Sequence, residues 1–262
     1  MNPEGGHVTR ILWINPIGTD EFDQAIRREL ERVKHPDTQL EVRSFDRGPQ
    51  HLEYHTYEAL VVPDILGHVV EAEREGFGAA VIGCFYDTGL RAARELAGRM
   101  NVVGPCESAV HIAATLGDRF SVIVGRRKWV PEMRDNVVRY GFGERLASFK
   151  VVDLGVHEFQ DDRDLTHRRL TAAAREAISA DGAEVIVLGC TIEYGFFQQL
   201  QEDVGAPVVD ATVAPFKYAE LMADIAALGW RPSKVGGYAS PPGRELEAFG
   251  LADRLRPAAA PT

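Results

Sequence analysis

The chain has 262 residues, 45% of them hydrophobic, which is enough for one large domain or two ordinary halves and too much for a wholly disordered polypeptide. A formal net charge of −10 gives no overall basic footprint for binding a nucleic-acid backbone. Three widely spaced cysteines, Cys84, Cys106 and Cys190, form neither a disulfide framework nor a CxxC metal or redox site.

The first residues, "MNPEGGHVTR", lack the basic start and apolar segment of a secretory signal, and no apolar run approaches the ~20 residues needed to cross a bilayer. A cytoplasmic protein with reduced thiols is expected. Its expected partners are a small-molecule substrate and further copies of itself, with no nucleic acid and no membrane. The ends "MNPEGGH" and "PAAAPT" read as frayed tails.

In chain order, short apolar runs recur, each followed by a helix-like polar stretch: "RILWIN", "LEVRSF", "AAVIGC" and "NVVG", then "FSVIV", "FKVVDL", "EVIVLGC" and "APVVDA". Strands alternating with helices predict an α/β fold with parallel sheets. The eight runs fall into two sets of four that correspond in order, "VIGCFYDTG" with "VLGCTIEYG" and "NVVGPCESAV" with "APVVDATVAP". This predicts two similar flavodoxin-like lobes, each with a parallel four-stranded sheet, related by a pseudo-twofold and facing each other across a cleft. The boundary is expected near "ATLGD", giving lobes over 1–114 and 115–211. The stretch "ATVAPFKYAELMADIAALGW" predicts a long amphipathic helix, so 212–262 is expected to form a helix and tail packing back on the first lobe.

Cys84 and Cys190 each follow an apolar strand and a glycine, Gly83 or Gly189, and each precedes a turn into a helix. In a doubly wound sheet that is where ligands sit, and helix N-terminal amides there favour a thiolate. A lone cysteine at such a place is as well read as a small buried hydrophobe. Two at equivalent places in two repeats favour chemistry. Thiols on opposite sides of a cleft suit proton abstraction from one face of a carbon and return on the other, and an ordinary thiol pKa of ~8.5 predicts that modest local electrostatics ionises one of the pair. That reaction is racemisation without a cofactor.

The stretches "GCFYDTGLRAAREL", "VVGPCESAVHIAATLGDRFSVIV" and "VIVLGCTIEYG" together resemble the aspartate/glutamate/hydantoin racemase superfamily, closest in look to its hydantoin racemase branch. "INP" and "GPQHLEYH" resemble that branch's first two active-site loops, and "APVVDATVAPFKYAELM" its closing strand and helix. The resemblance implies a racemase or epimerase free of metal and pyridoxal phosphate, with Cys84 and Cys190 as its acid/base pair and a 5-substituted hydantoin or related amino-acid derivative as substrate. The chain departs from the branch in three places: Ile17-Gly18-Thr19 follow Asn15-Pro16, Tyr86-Asp87-Thr88 follow Cys84-Phe85, and Gly125 stands where a hydroxyl residue is common. Thr191-Ile192-Glu193 is nearer to the "GCT" plus acid of the amino-acid racemases. A maleate-type isomerase, an arylmalonate-type decarboxylase and a non-catalytic small-molecule binder stay open as alternatives, although Cys84 argues against the decarboxylase.

Asn15 reads equally as a hydrogen-bonding partner of a substrate carbonyl and as a turn-former before Pro16, and the backbone amides of Phe85, Tyr86, Thr191 and Ile192 are candidates for two anion-holding nests. Asp87 reads as a helix cap, while Glu193 reads equally as a cap or a group tuning Cys190. Cys106 has no cysteine counterpart in the second repeat and reads as packing. His51 and His55 have i, i+4 spacing without a third metal ligand and read as a solvated loop or helix face, as does the basic run "GRRKW".

Overall fold

The computed structural model describes residues 9–255, so the expected tails "MNPEGGH" and "PAAAPT" lie outside the described residues. The first half contains β1 (Thr9–Asn15), α1 (Asp23–Val33), β2 (Thr38–Ser44), α2 (His55–Arg74), β3 (Ala79–Ile82), α3 (Leu90–Leu96), β4 (Asn101–Val103) and α4 (Pro105–Leu116). The second contains β5 (Phe120–Val124), a 3-10 turn over Arg127–Trp129, α5 (Val130–Arg139), β6 (Leu146–Val151), α6 (Glu158–Asp161), α7 (Arg163–Asp181), β7 (Val185–Leu188), α8 (Phe197–Val204), β8 (Val208–Val209) and α9 (Val213–Ala227). Two short helices follow, α10 (Gly243–Ala248) and α11 (Ala252–Leu255).

The strands form two four-stranded parallel sheets with matching order, β2-β1-β3-β4 and β6-β5-β7-β8. Residues of β3, β5 and β7 are buried throughout, which explains why their runs are continuously apolar rather than alternating. The edge strand β6 is only half-buried along its length. It begins at Leu146 and ends at Val151, whereas the apolar run "FKVVDL" placed it from Phe149 to Leu154. Beyond Val151 the backbone still donates to β5 and Gly125, from Val152 to the Val124 carbonyl at 3.0 Å and from Leu154 to that of Gly125 at 3.1 Å. Between them Asp153 takes a positive φ of 53°, which ends regular pairing.

The last helix of each half crosses to the other sheet. Helix α4 packs against β7 and β8, and α9 packs against β1, β3 and β4. After α9 the chain runs back over the first half: Lys234 and Ser240 donate to α3 carbonyls, and Arg254 pairs with Asp64 of α2 at 2.7 Å. Among the described residues no helix is long and apolar enough to cross a membrane. In both sheets the order reverses between the first and third strands, so the crevices at the carboxyl ends of β1 and β3, and of β5 and β7, are the positions where this architecture takes ligands.

Gly125 ends β5 at one of these crevices. A Cβ there would lie 2.2 Å from the Leu154 carbonyl oxygen and 2.5 Å from the Trp129 ring, which explains why no hydroxyl residue stands at this position. Gly125→Ser is expected to cost about 1–3 kcal/mol through overpacking. The check is urea unfolding under reducing conditions, where the midpoint falls below that of the parent chain.

Candidate active site

The site is built from two matching turns. The Gly83 and Gly189 amides donate to the Ile14 and Ile123 carbonyls at 2.8 and 2.7 Å, closing β3 onto β1 and β7 onto β5. A Cβ on Gly83 would meet the Trp13 ring at 2.6 Å, and one on Gly189 would meet the Ile123 oxygen at 2.7 Å. The next residue, Cys84 or Cys190, is therefore delivered straight to the cleft. Each cysteine carbonyl then accepts the amide three residues on, from Asp87 at 2.9 Å and Glu193 at 3.0 Å. Both thiols are free and line one cavity of about 580 Å3, its open mouth included.

The Tyr86 amide donates to the Cys84 sulfur and the Ile192 amide to that of Cys190, which favours the thiolates. Burial acts more strongly. It pushes Cys84 up to about 12, with the Glu58 and Glu132 charges adding to the rise. It pushes Cys190 well above the usual thiol range, with Glu193 adding to it. Desolvation thus works against the expected ionisation of one thiol near neutrality and outweighs the single amide donor at each half-buried sulfur.

Asn15 lies at the end of β1, buried and on the cavity wall. Its amide nitrogen donates to Asp23 Oδ1 at 3.0 Å and to Ser44 Oγ at 3.1 Å. Because a carboxylate only accepts, these bonds fix the amide's orientation and occupy both hydrogens. Asn15 therefore offers a ligand its oxygen, an acceptor for N–H, and not the donor to a carbonyl that the sequence suggested. Phe85, Tyr86, Thr191 and Ile192 all line the cavity. The amides of Tyr86 and Ile192 donate to the two sulfurs. The Thr191 hydroxyl is occupied too: it crosses between the halves to the Gly83 carbonyl at 3.1 Å, and the Thr191 carbonyl accepts from the Thr212 hydroxyl at 2.7 Å.

The two acids beside the cysteines differ in role. Asp87 caps a helix, but it is α4 and not the helix that follows it: its two oxygens accept the Cys106 and Glu107 amides, each at 2.9 Å, and the Tyr140 hydroxyl at 2.6 Å. Burial pushes its carboxyl up to about 7 against the pull of these donors. Glu193 instead turns back on its own loop, where Oε2 accepts the Cys190 amide at 3.2 Å, and Oε1 is buried with no hydrogen-bond partner. Burial raises its pKa well above the carboxylate range, with the Asp210 charge adding to the rise. Cys106 is fully buried in the core, consistent with packing.

Several cavity residues carried no sequence signal of their own. Phe22, Ile26, Trp129, Met133 and Val156 supply apolar wall, and Glu53 an acid. Glu53 pairs with Arg126 at 3.0 Å and accepts the Val156 amide at 3.0 Å, so the basic run read as solvent-facing helps to hold the loop at the cavity mouth. His51 also lines the cavity and stacks against Tyr57 at 5.4 Å and His157 at 5.9 Å. It precedes α2, which starts at His55, so the two histidines do not share a helical face. Among the described residues one group has ligand atoms close enough for a metal: His55, Glu58 and Glu132, with these atoms within 4.8 Å of one another. It lies outside the cavity lining, and its two carboxyls are hydrogen-bonded to each other, a use of their oxygens that competes with a metal.

Comparison with known proteins places the sequence and the fold. The family described as Asp/Glu/Hydantoin racemase matches residues 11–219. A hydantoin racemase of Pseudomonas sp. (strain NS671) is 34% identical over 245 residues, covering 92% of this chain and 97% of that protein. A hydantoin racemase of Paenarthrobacter aurescens is 36% identical over 233 residues, covering 88% and 97%. Among solved structures, allantoin racemase from Klebsiella pneumoniae superposes with a TM-score of 0.83 at 31% identity, covering 89% of this chain and 94% of that one. The chain belongs to the Asp/Glu/hydantoin racemase family and is an isomerase of the racemase type.

Proposed function

We propose that this racemase interconverts the two hands of a 5-substituted hydantoin or related cyclic ureide, without metal or organic cofactor, using Cys84 and Cys190 as opposed acid and base. The observation that carries the reading is the pair of thiols at equivalent strand ends on one cavity. The names of the hydantoin and allantoin racemases it resembles support the substrate class. So does the wall: among the described residues no Arg or Lys lines the cavity, and Ile17, Phe22, Leu52, Phe85, Trp129 and Met133 do. A free amino acid, a malonate or a maleate brings a carboxylate that this wall leaves without a cation, whereas a neutral ring needs none. The Asn15 oxygen suits a ring N–H.

In this mechanism one thiolate takes the C5 hydrogen as a proton, the electron pair of that bond moves into the neighbouring ring carbonyl, and the opposite thiol delivers its proton to the other face of C5. One S–H bond forms and one breaks, so protons balance within the turnover. The desolvation that suppresses ionisation in the free protein also makes a thiolate, once formed, a stronger base. The same reading takes 1–114 and 115–211 as the catalytic lobes, 212–262 as the segment packing back on the first, the cytoplasm as the compartment and a homo-oligomer as the assembly. The exposed Leu228, Trp230 and Phe249 support an assembly surface.

Iodoacetamide alkylation of Cys84 and Cys190, followed by peptide mass spectrometry, is expected to accelerate about tenfold per pH unit between about pH 7 and 9, because only the thiolate reacts. It should not level off near the ~8.5 of an ordinary thiol, and Cys106 should stay unmodified in the folded protein. Levelling near that value would contradict the raised pKa values.

With enantiopure 5-substituted hydantoins and polarimetry, Cys84→Ala and Cys190→Ala are each expected to lower racemisation by roughly 10²–10⁴-fold, the range of a lost acid or base. Near-normal turnover by either folded variant would falsify the two-thiol mechanism.

A further inference from the structure

Cys84 has a polar neighbour with no equivalent at Cys190. The Thr88 hydroxyl lies 3.6 Å from Cys84 Sγ and 3.0 Å from Glu58 Oε2. A hydroxyl has one hydrogen, and a carboxylate can only accept, so with Glu58 ionised Thr88 donates to Glu58 and its oxygen faces the Cys84 S–H. Glu58 is hydrogen-bonded in turn to Glu132. Glu132 Oε2 lies 3.1 Å from Nδ1 of His55, whose side chain is 67% exposed. Exchangeable groups in close succession thus run from a cavity sulfur to solvent, the last step being a 3.1 Å approach that does not meet hydrogen-bond geometry. The residue corresponding to Thr88 in the second turn is Tyr194, a buried side chain in no hydrogen bond to Cys190.

Resting on the two-thiol reading above, we propose that Thr88, Glu58, Glu132 and His55 form a proton relay that exchanges the Cys84 proton with solvent. As the Cys84 S–H proton passes to the Thr88 oxygen, the Thr88 hydrogen passes to Glu58, the proton held between Glu58 and Glu132 passes to His55, and His55 gives one to water. One proton leaves sulfur and one reaches solvent. The reverse sequence recharges the thiol.

Such a path has a clear use. A turnover leaves the protonation states of the two thiols exchanged, and another molecule of the same hand can react only after they are reset. A path from one thiol to solvent allows this reset without passing the proton through a substrate. The groups facing the carboxyl pair are consistent with a proton-holding site: Asp135 on α5 repels the Glu132 charge, Lys128 attracts it, and burial together with Glu58 holds its pKa well above the usual carboxylate range.

The test has one arm that needs no turnover and one that does. Once the relay has passed the Thr88 hydrogen to Glu58, the hydroxyl holds the proton taken from Cys84 and donates it to the thiolate, so Thr88→Val is expected to slow alkylation of Cys84 at about pH 8 by roughly 3–10-fold and leave Cys190 unchanged, with Thr88→Ser near the parent rate. Equal Cys84 rates in parent and Thr88→Val would overturn the relay whatever the substrate proves to be. In the turnover arm, His55→Ala is expected to lower kcat by roughly 3–30-fold at little change in KM, with activity returning as imidazole is added, since a small base replaces the outer group. Glu58→Gln should lower kcat without rescue by imidazole. An unchanged kcat in both His55→Ala and Glu58→Gln, or a loss confined to KM, would overturn the relay and leave the racemase reading intact. Failure of the parent chain on every hydantoin tried would count against the racemase reading, and the alkylation arm would still decide on the Thr88 contact.

Discussion

The close approach of β1 to the end of β3, and of β5 to the end of β7, is the constraint on which the site depends. At each place a glycine amide bonds across at under 3 Å, and the space its side chain would need is filled, by the Trp13 ring in one half and the Ile123 carbonyl in the other. The chain must turn immediately afterwards, so the first residue beyond the strand faces the cleft. The cysteines owe their matched positions to this backbone geometry more than to any contact of their own side chains.

A duplicated backbone does not oblige the halves to keep equivalent side chains, and here they have diverged around the thiols. The acid after Cys84 is committed to a neighbouring helix, whereas the acid after Cys190 stays within its own turn, buried and incompletely paired. Four residues after the cysteine, one half has a hydroxyl in reach of sulfur and the other a tyrosine that is not. The two thiols therefore meet different electrostatic surroundings on an almost symmetric frame, which is how one architecture can give two equivalent cysteines separate properties.

Much of this was legible in the sequence because it depends on local pattern. Buried central strands require unbroken apolar runs, and a repeated Gly-Cys at their ends is visible without coordinates. Edges were less legible: β6 is half-buried, and its apolar content does not mark where regular pairing begins. The direction of the Asn15 amide depends on Asp23 and Ser44, the latter contributed by a neighbouring strand. The Thr88 contact joins residues 30 positions apart, and nothing in α2 marks Glu58 as different from other helix acids. The rise of both thiols was illegible for a related reason, since a motif reveals the nearby amide donors but not how far the folded chain shields a half-buried sulfur.

The hydroxyl of Thr191 bonded to the Gly83 carbonyl has a mechanical meaning. It fastens the second cysteine turn to the strand end that carries the first, while Thr212 fastens the same turn to the start of the helix that lies on the first sheet. The gap between the sulfurs is thereby gauged by short bonds at its floor, not by a hinge at a distance. The two halves cannot part there without breaking that fastening, whereas the Gln50–Glu53 loop and Val156, which also line the cavity, are tied to each other and not to the cysteine turns.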